Sequence, residues 1–300
     1  MITVTVPATS ANVGPGFDCI GVALALYNTV SARETDGGLL IEILDESSEF
    51  LPRDTKNLVY RAMKSVFDEA GYTPSGLRIT QRNAIPVTRG LGSSSASIVG
   101  GIMAANALCG AGMSRGDMIS FAARLEGHPD NTTPALAGGM TVAALDGGNA
   151  YYQKIPIDGN RLKFAVFVPN FTLRTKKARS VLPSAVPHED AVFNASRAAL
   201  LTASVITGNY ANLKIALDDR LHQQYRRHLI KGMDGITEQA ARCGAWGCCV
   251  SGAGPAILSL IDAERAARFS TEMSAFLSRE MPEWNLMVLE PDNLGATLTR

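Results

Sequence analysis

Arg89-Gly90-Leu91-Gly92-Ser93-Ser94-Ser95-Ala96-Ser97 is the stretch of this chain best suited to holding an anion. Gly90 and Gly92 let the backbone turn sharply and come close to a ligand. The three consecutive serines add hydroxyls where the first turn of a helix leaves its N–H groups unpaired, and helix N-termini attract anions for that reason. Upstream, Leu77 to Ile85 has apolar residues at 77, 79 and 85. Downstream, Ile98, Val99, Ile102, Met103 and Leu108 keep i, i+3/i+4 spacing, so the loop leaves a strand and opens a helix. An ordinary glycine-rich turn is the competing reading. The loop is neither of two familiar phosphate motifs. No lysine follows Gly92, as G-x-x-x-x-G-K-[ST] requires, and Ser95 stands where G-x-G-x-x-G needs its third glycine.

Three further clusters accompany it: Ser10-Ala11-Asn12-Val13-Gly14-Pro15-Gly16-Phe17-Asp18, Glu126-Gly127-His128-Pro129-Asp130-Asn131 and Ser251-Gly252-Ala253-Gly254-Pro255. Together with Pro86 to Ser97 they resemble the motifs of the GHMP kinases, a superfamily of small-molecule kinases, and most closely its homoserine kinase branch. The match runs in the family's order from Pro7 to Pro255, about four-fifths of the chain. The resemblance implies an α+β fold of two domains, an N-terminal one like domain 2 of ribosomal protein S5 and a ferredoxin-like C-terminal one, with the active site in the cleft between them. It also implies ATP as co-substrate, Mg²⁺, L-homoserine as acceptor and a place in threonine biosynthesis. Residues 1–155 would bind ATP and residues 156–300 would form the second domain.

Phosphoryl transfer needs an anion cradle, a divalent cation and groups that place the acceptor hydroxyl in line. By the resemblance, ATP is held by Asn57, Pro86, Val87, Thr88, Arg89, Gly90, Leu91, Gly92, Ser93, Ser94, Ser95 and Ala96. Ser94 and Glu126 hold Mg²⁺, a hydroxyl and a carboxylate of the kind that ion accepts. Taken alone, Glu126 also reads as a solvated carboxylate at a helix end, and Asn57 as the N-cap of an amphipathic helix containing Leu58, Val59, Ala62, Met63, Val66 and Phe67.

The acceptor end is assigned to Asn12, Asp18, His128, Asn131, Arg179 and Arg226, with Asp18, Asn131 and Glu126 as the catalytic set. Two arginine forks suit an α-carboxylate, and Asn12 would meet the α-ammonium. Arg227 beside Arg226 leaves the register of the second arginine open. Gln223-Gln224 stand where the family more often has an acidic residue and a proline before Tyr-Arg. Asp130-Asn131 also reads as the N-cap of a helix beginning Thr132-Thr133-Pro134. Either Asp18 or Asp130 could take the hydroxyl's proton, or positioning and metal electrostatics could suffice.

These groups need a scaffold, and the composition provides for one. The chain has 300 residues, 46% hydrophobic and 19% charged, enough for two ordinary domains with real cores. Lys+Arg and Asp+Glu both number 28, so no net field draws it to nucleic acid or an anionic membrane. Five cysteines without paired C-x-x-C spacing argue against a disulfide framework or a structural zinc, and for a reducing, cytoplasmic compartment. The N-terminus reads as a strand, with no basic segment before an apolar core. Gly90 to Ser114 lacks charge for 25 positions, but its six glycines and five serines point to a buried amphipathic helix and not to a membrane span.

Beyond a division near 150 to 160, helices are expected at about 190–207, 210–217, 235–243 and 263–276, and strands near 246–250, 256–261 and 285–290. A homodimer stays open as an assembly. Two other functions remain. One is a mevalonate-pathway or other small-alcohol kinase; an acceptor without an α-carboxylate would have no use for both arginines. A non-catalytic nucleotide sensor need not keep Ser94 and Glu126.

Overall fold

The computed structural model describes residues 1–300. Its first half is β1 (Ile2–Ala11), β2 (Ile20–Glu34), β3 (Gly38–Ile43), α1 (Leu58–Glu69), β4 (Gly76–Asn83), α2 (Ser93–Cys109), α3 (Arg115–Glu126), α4 (Thr132–Ala137), β5 (Met140–Asp146) and β6 (Asn149–Ile155). The second half is β7 (Leu162–Pro169), α5 (Thr175–Arg179), α6 (His188–Thr207), α7 (Leu213–Ala216), α8 (Gln223–Arg226), α9 (Met233–Arg242), β8 (Gly247–Val250), β9 (Ile257–Asp262), α10 (Ala266–Glu280), β10 (Trp284–Leu289) and β11 (Thr297–Thr299). This is the expected α+β pattern.

Strand β1 alternates buried and half-buried residues from Ile2 to Val6, as a period of two requires, and is then buried through Ala11. Its register against β2 shifts between Pro7 and Ala8, where proline cannot donate to the ladder. The first sheet runs β11-β1-β2-β4-β3, and the long β2 also pairs through Ile20–Val22 with β5, which folds back on β6. The second is an antiparallel four-stranded sheet, β10-β7-β9-β8. The two faces of β7 divide the interior. Leu162, Phe164, Val166 and Val168 join a continuous core of 53 buried residues that extends through the first lobe. Ala165 and Phe167 face a smaller core with α9 and α10. The lobes therefore share one interior.

Two readings change. Helix α2 is not amphipathic: it is buried without a break from Ile98 to Ala105. Gly100, Gly101, Ala104 and Ala105 are small enough for β1, β2 and α1 to close on it from several sides. The chain also continues past β10 to β11, which crosses back and pairs with β1 in the first sheet. Three residues are too few to show a period in sequence. No helix is long and apolar enough to cross a membrane.

Candidate active site

Helix α2 begins at Ser93, with Gly92 in the N-cap position and no side chain capping its first turn. Those N–H groups stand at the mouth of a cavity of about 430 Å³ between the lobes. Gly92 is left-handed, φ 69°, and a Cβ there would lie 1.9 Å from Thr9 Oγ1. Only glycine fits. A Cβ on Gly90 would lie 2.3 Å from the Ser251 carbonyl, because the Ser251–Pro255 turn of the second lobe presses on the loop. Ser251 Oγ donates to the Gly90 carbonyl at 2.7 Å and lies 2.8 Å from Ser10 Oγ. The Gly252 N–H donates to the Ala11 carbonyl, and Asn12 Nδ2 donates to the Gly252 carbonyl.

Of the residues the resemblance assigns to ATP, Pro86, Val87, Thr88, Leu91 and Ser93–Ser95 line the cavity. Three residues of that set do otherwise. The Arg89 guanidinium turns away and donates to the carbonyls of Pro169 and Asn170, tying the loop to the end of β7. Ala96 is sealed inside α2. Asn57 is the buried N-cap of α1: its Oδ1 accepts from the N–H groups of Val59 and Tyr60 and from Gln81 Nε2, and its Nδ2 donates to the Pro52 carbonyl. That leaves the cavity wall there to Leu51 and Leu58.

Glu126 ends α3, with its Oε2 shut off from solvent and lacking a partner. Ser95 Oγ is likewise buried and unpaired, whereas Ser94 is exposed on the cavity lining. Burial pushes the Glu126 carboxyl up, against the opposing charge of His128. Two orphaned oxygens beside a cavity lined with serine hydroxyls suit a hard cation that keeps oxygen ligands, so these residues fit Mg²⁺.

His128 Nδ1 lies 2.5 Å from Asp130 Oδ1, and the Asp130 side chain is fully buried. Burial pushes the imidazole down, but the hydrogen bond and charge of Asp130, with Glu126 and Asp18 nearby, hold it above its ordinary range. Asp130 is not among the residues lining the cavity, but its carboxylate lies within 4.8 Å of both His128 and Asp18. Asn131 stands at the start of α4 but does not cap it; its Oδ1 accepts from Thr9 Oγ1 at 2.7 Å and its side chain lines the cavity. The capping reading of Asn131 is thus corrected.

Arg179 and Arg226 both reach the cavity. Arg226 is completely buried and lines the cavity, whereas Arg227 is exposed and paired with Asp234. Arg226 has no carboxylate within ion-pair distance. Burial, and then the charge of Arg179, push it down to about 10, so it stays charged near neutrality. Asp18 lies in the fork of Arg179. Asn12 Oδ1 accepts from the Asp18 N–H, so Asn12 ties this turn to the second lobe.

Asn12, Asp18 and Thr88 are the non-glycine residues with positive φ, 53°, 53° and 55°. Each such conformation costs roughly 1–2 kcal/mol, least for Asn and Asp. All three belong to this site. Sequence reasoning missed Phe17, whose ring centroid is 5.4 Å from the Arg179 guanidinium carbon and 5.3 Å from that of Arg226. It also missed His222, four residues before Arg226 and so on the same face of a helical turn. That spacing was the available signal.

The sequence pattern of the GHMP kinases N terminal domain matches residues 57–139, and that of GHMP kinases C terminal matches residues 198–279. A homoserine kinase of Caldicellulosiruptor saccharolyticus is 50% identical over 299 residues, 99% of this chain and 96% of that one. The crystal structure of homoserine kinase from Cytophaga hutchinsonii superimposes with a TM-score of 0.89 at 29% identity, covering 99% of this chain and 97% of that one. Mevalonate kinase of L. major shares the fold, with a TM-score of 0.72 at 14% identity over 96% and 95% of the two chains. The chain belongs to the GHMP kinases, within the homoserine kinase family.

Proposed function

We propose that this cleft transfers the γ-phosphoryl group of ATP to the side-chain hydroxyl of L-homoserine, giving O-phospho-L-homoserine for threonine synthesis. One observation carries the choice of acceptor: Arg226, a fully buried guanidinium without a carboxylate partner, lines the same cavity as Arg179. An anionic group fits there, and an α-carboxylate has the geometry of that fork. A small alcohol without a carboxylate would leave Arg226 without a counter-charge, since Arg179 is already met by Asp18.

The division of labour follows a boundary at 155/156. Residues 1–155 carry the phosphate site: the N–H groups that open α2 and the hydroxyls of Ser93, Ser94 and Ser95. Glu126, Ser94 and Ser95 would hold Mg²⁺, which neutralises phosphate oxygens when bound. Residues 156–300 supply the acceptor arginines. Asn131, fixed by Thr9, lies between the two ends. The substrate carboxylate takes the place of Asp18 in the Arg179 fork, which frees Asp18 to accept a hydrogen bond from the substrate's hydroxyl or ammonium. Positioning and electrostatics do most of the work, as a loose transition state allows. Five free cysteines support a reducing, cytoplasmic location. A coupled ADP-release assay with homoserine, mevalonate, shikimate and galactose tests the reading. Turnover of homoserine alone is expected; turnover of mevalonate or a sugar without homoserine overturns it.

A further inference from the structure

Arg226 is held by a histidine outside the cavity lining. Its Nε donates to the Ala178 carbonyl at 3.3 Å, and its Nη1 donates to the Gly252 carbonyl at 3.0 Å and lies 3.1 Å from His222 Nδ1. A guanidinium can only donate, so the nitrogen facing it must present a lone pair. The other ring nitrogen, Nε2, is 2.8 Å from the Gly14 carbonyl, which can only accept. Both contacts are satisfied by one form of the ring, neutral with its proton on Nε2.

The surroundings keep it so. His222 is fully buried. The charged groups facing it are Arg226 on its own helix, Asp219 with Oδ2 3.7 Å from Nε2, and Asp18 from the first lobe. Asp219 is already occupied, accepting from Asn194 Nδ2 and from the N–H groups of Leu221, His222 and Gln223. The Cys249 thiol, against the same Gly14, is pushed up to about 12 by burial and so carries no charge near neutrality. The Phe17 ring covers the imidazole at 5.4 Å between centroids.

Building on the acceptor reading above, we infer that His222 is a positioning residue of the acceptor site: its Nε2–H tautomer aims Arg226 at the substrate's carboxylate. A second proton on the ring would set N–H against N–H and release the arginine.

Two variants test this in the full chain. His222→Leu fills the volume without an acceptor, and His222→Asn keeps an oxygen near the Nδ1 position. The Leu variant is expected to raise the homoserine KM at least tenfold with the ATP KM within twofold, and the Asn variant to recover most of that loss. A folded Leu variant with unchanged homoserine KM overturns the inference. So do equal rises in both KM values, or a folded Asn variant that recovers nothing. A measurement on the unaltered protein guards against misfolded variants. The chain has four histidines, and nitrogen NMR of the ¹⁵N-histidine-labelled protein should show His222 neutral and protonated on Nε2 near pH 7. An Nδ1–H or charged ring overturns the inference. Absence of ADP release with homoserine in the parent would sink the acceptor reading instead, and the NMR result would still judge the ring.

Discussion

Arg179 grips the carboxylate of Asp18 with both terminal nitrogens, at 2.6 and 3.0 Å. The fork proposed for the substrate is thus filled by a carboxylate of the protein. The pair is about one-third exposed on each side, so its net worth is on the order of 1 kcal/mol or less. Exchanging one carboxylate for another leaves the charge balance of the fork intact. It also costs little, and Asp18 is then available for the rest of the substrate.

Arg179→Lys replaces a planar fork with a point charge. The homoserine KM should rise at least tenfold, roughly 1.4 kcal/mol, with the ATP KM nearly unchanged. Steady-state kinetics with each substrate varied in turn check this. An ATP KM that rises equally would move Arg179 to the nucleotide.

Glu126→Gln keeps the shape and removes a charge whose Oε2 is buried without a hydrogen-bond partner. Turnover at saturating Mg²⁺ should fall by roughly two orders of magnitude. The melting temperature without metal should hold or increase, since burial of that charge is unfavourable. Thermal melts with and without Mg²⁺, beside kcat, test both halves. A variant as active as the parent makes Glu126 a bystander.

Gly92→Ala would force a Cβ to within 1.9 Å of Thr9 Oγ1 at a positive φ. The strained backbone alone costs roughly 1 kcal/mol, and relief of the clash must move the start of α2. The expected result is a melting temperature at least about 2 °C lower, with an ATP KM several times higher and a smaller change for homoserine. Calorimetry and kinetics on one preparation decide it.

The pH dependence of stability follows from His222, whose folded pKa is lowered from 6.5 by burial, in opposition to Asp219. As pH falls below 6.5, the unfolded chain takes a proton that the folded chain refuses. Stability is therefore lost toward acid, by at most about 1.4 kcal/mol per pH unit from this group. His128 works the other way: its folded pKa is raised, so its contribution is present below 6.5 and lost as pH rises through the folded value. Urea unfolding of the parent and His222→Asn near pH 7.5 and pH 5 isolates the first effect. Parallel stability curves would refute it.

The loop proposed for the nucleotide was legible because its groups are consecutive: Gly90 to Ser95 carry their conformation and their hydroxyls in one short segment. The end proposed for the acceptor was only partly so. Arg226 and Arg227 are equivalent in sequence, and burial of one against Gly252 and Ala178 separates them. His222 was hidden because its partner Gly14 is 208 residues away. Asn57 was readable as a cap, and the structure uses its side chain for that purpose. Helix α2 looked one-sided because periodicity registers large residues, whereas glycine and alanine are what allow burial on the remaining faces.

The Ser251–Pro255 turn makes this cleft a socket more than a jaw. Prising the lobes apart there would break the bonds of Ser251 to Gly90, Gly252 to Ala11 and Asn12 to Gly252, at about 1 kcal/mol each, and would split the shared interior as well. Ligands meet walls that already face one another. The adjustment left to a ligand there is then of side chains such as Asp18 more than of whole lobes.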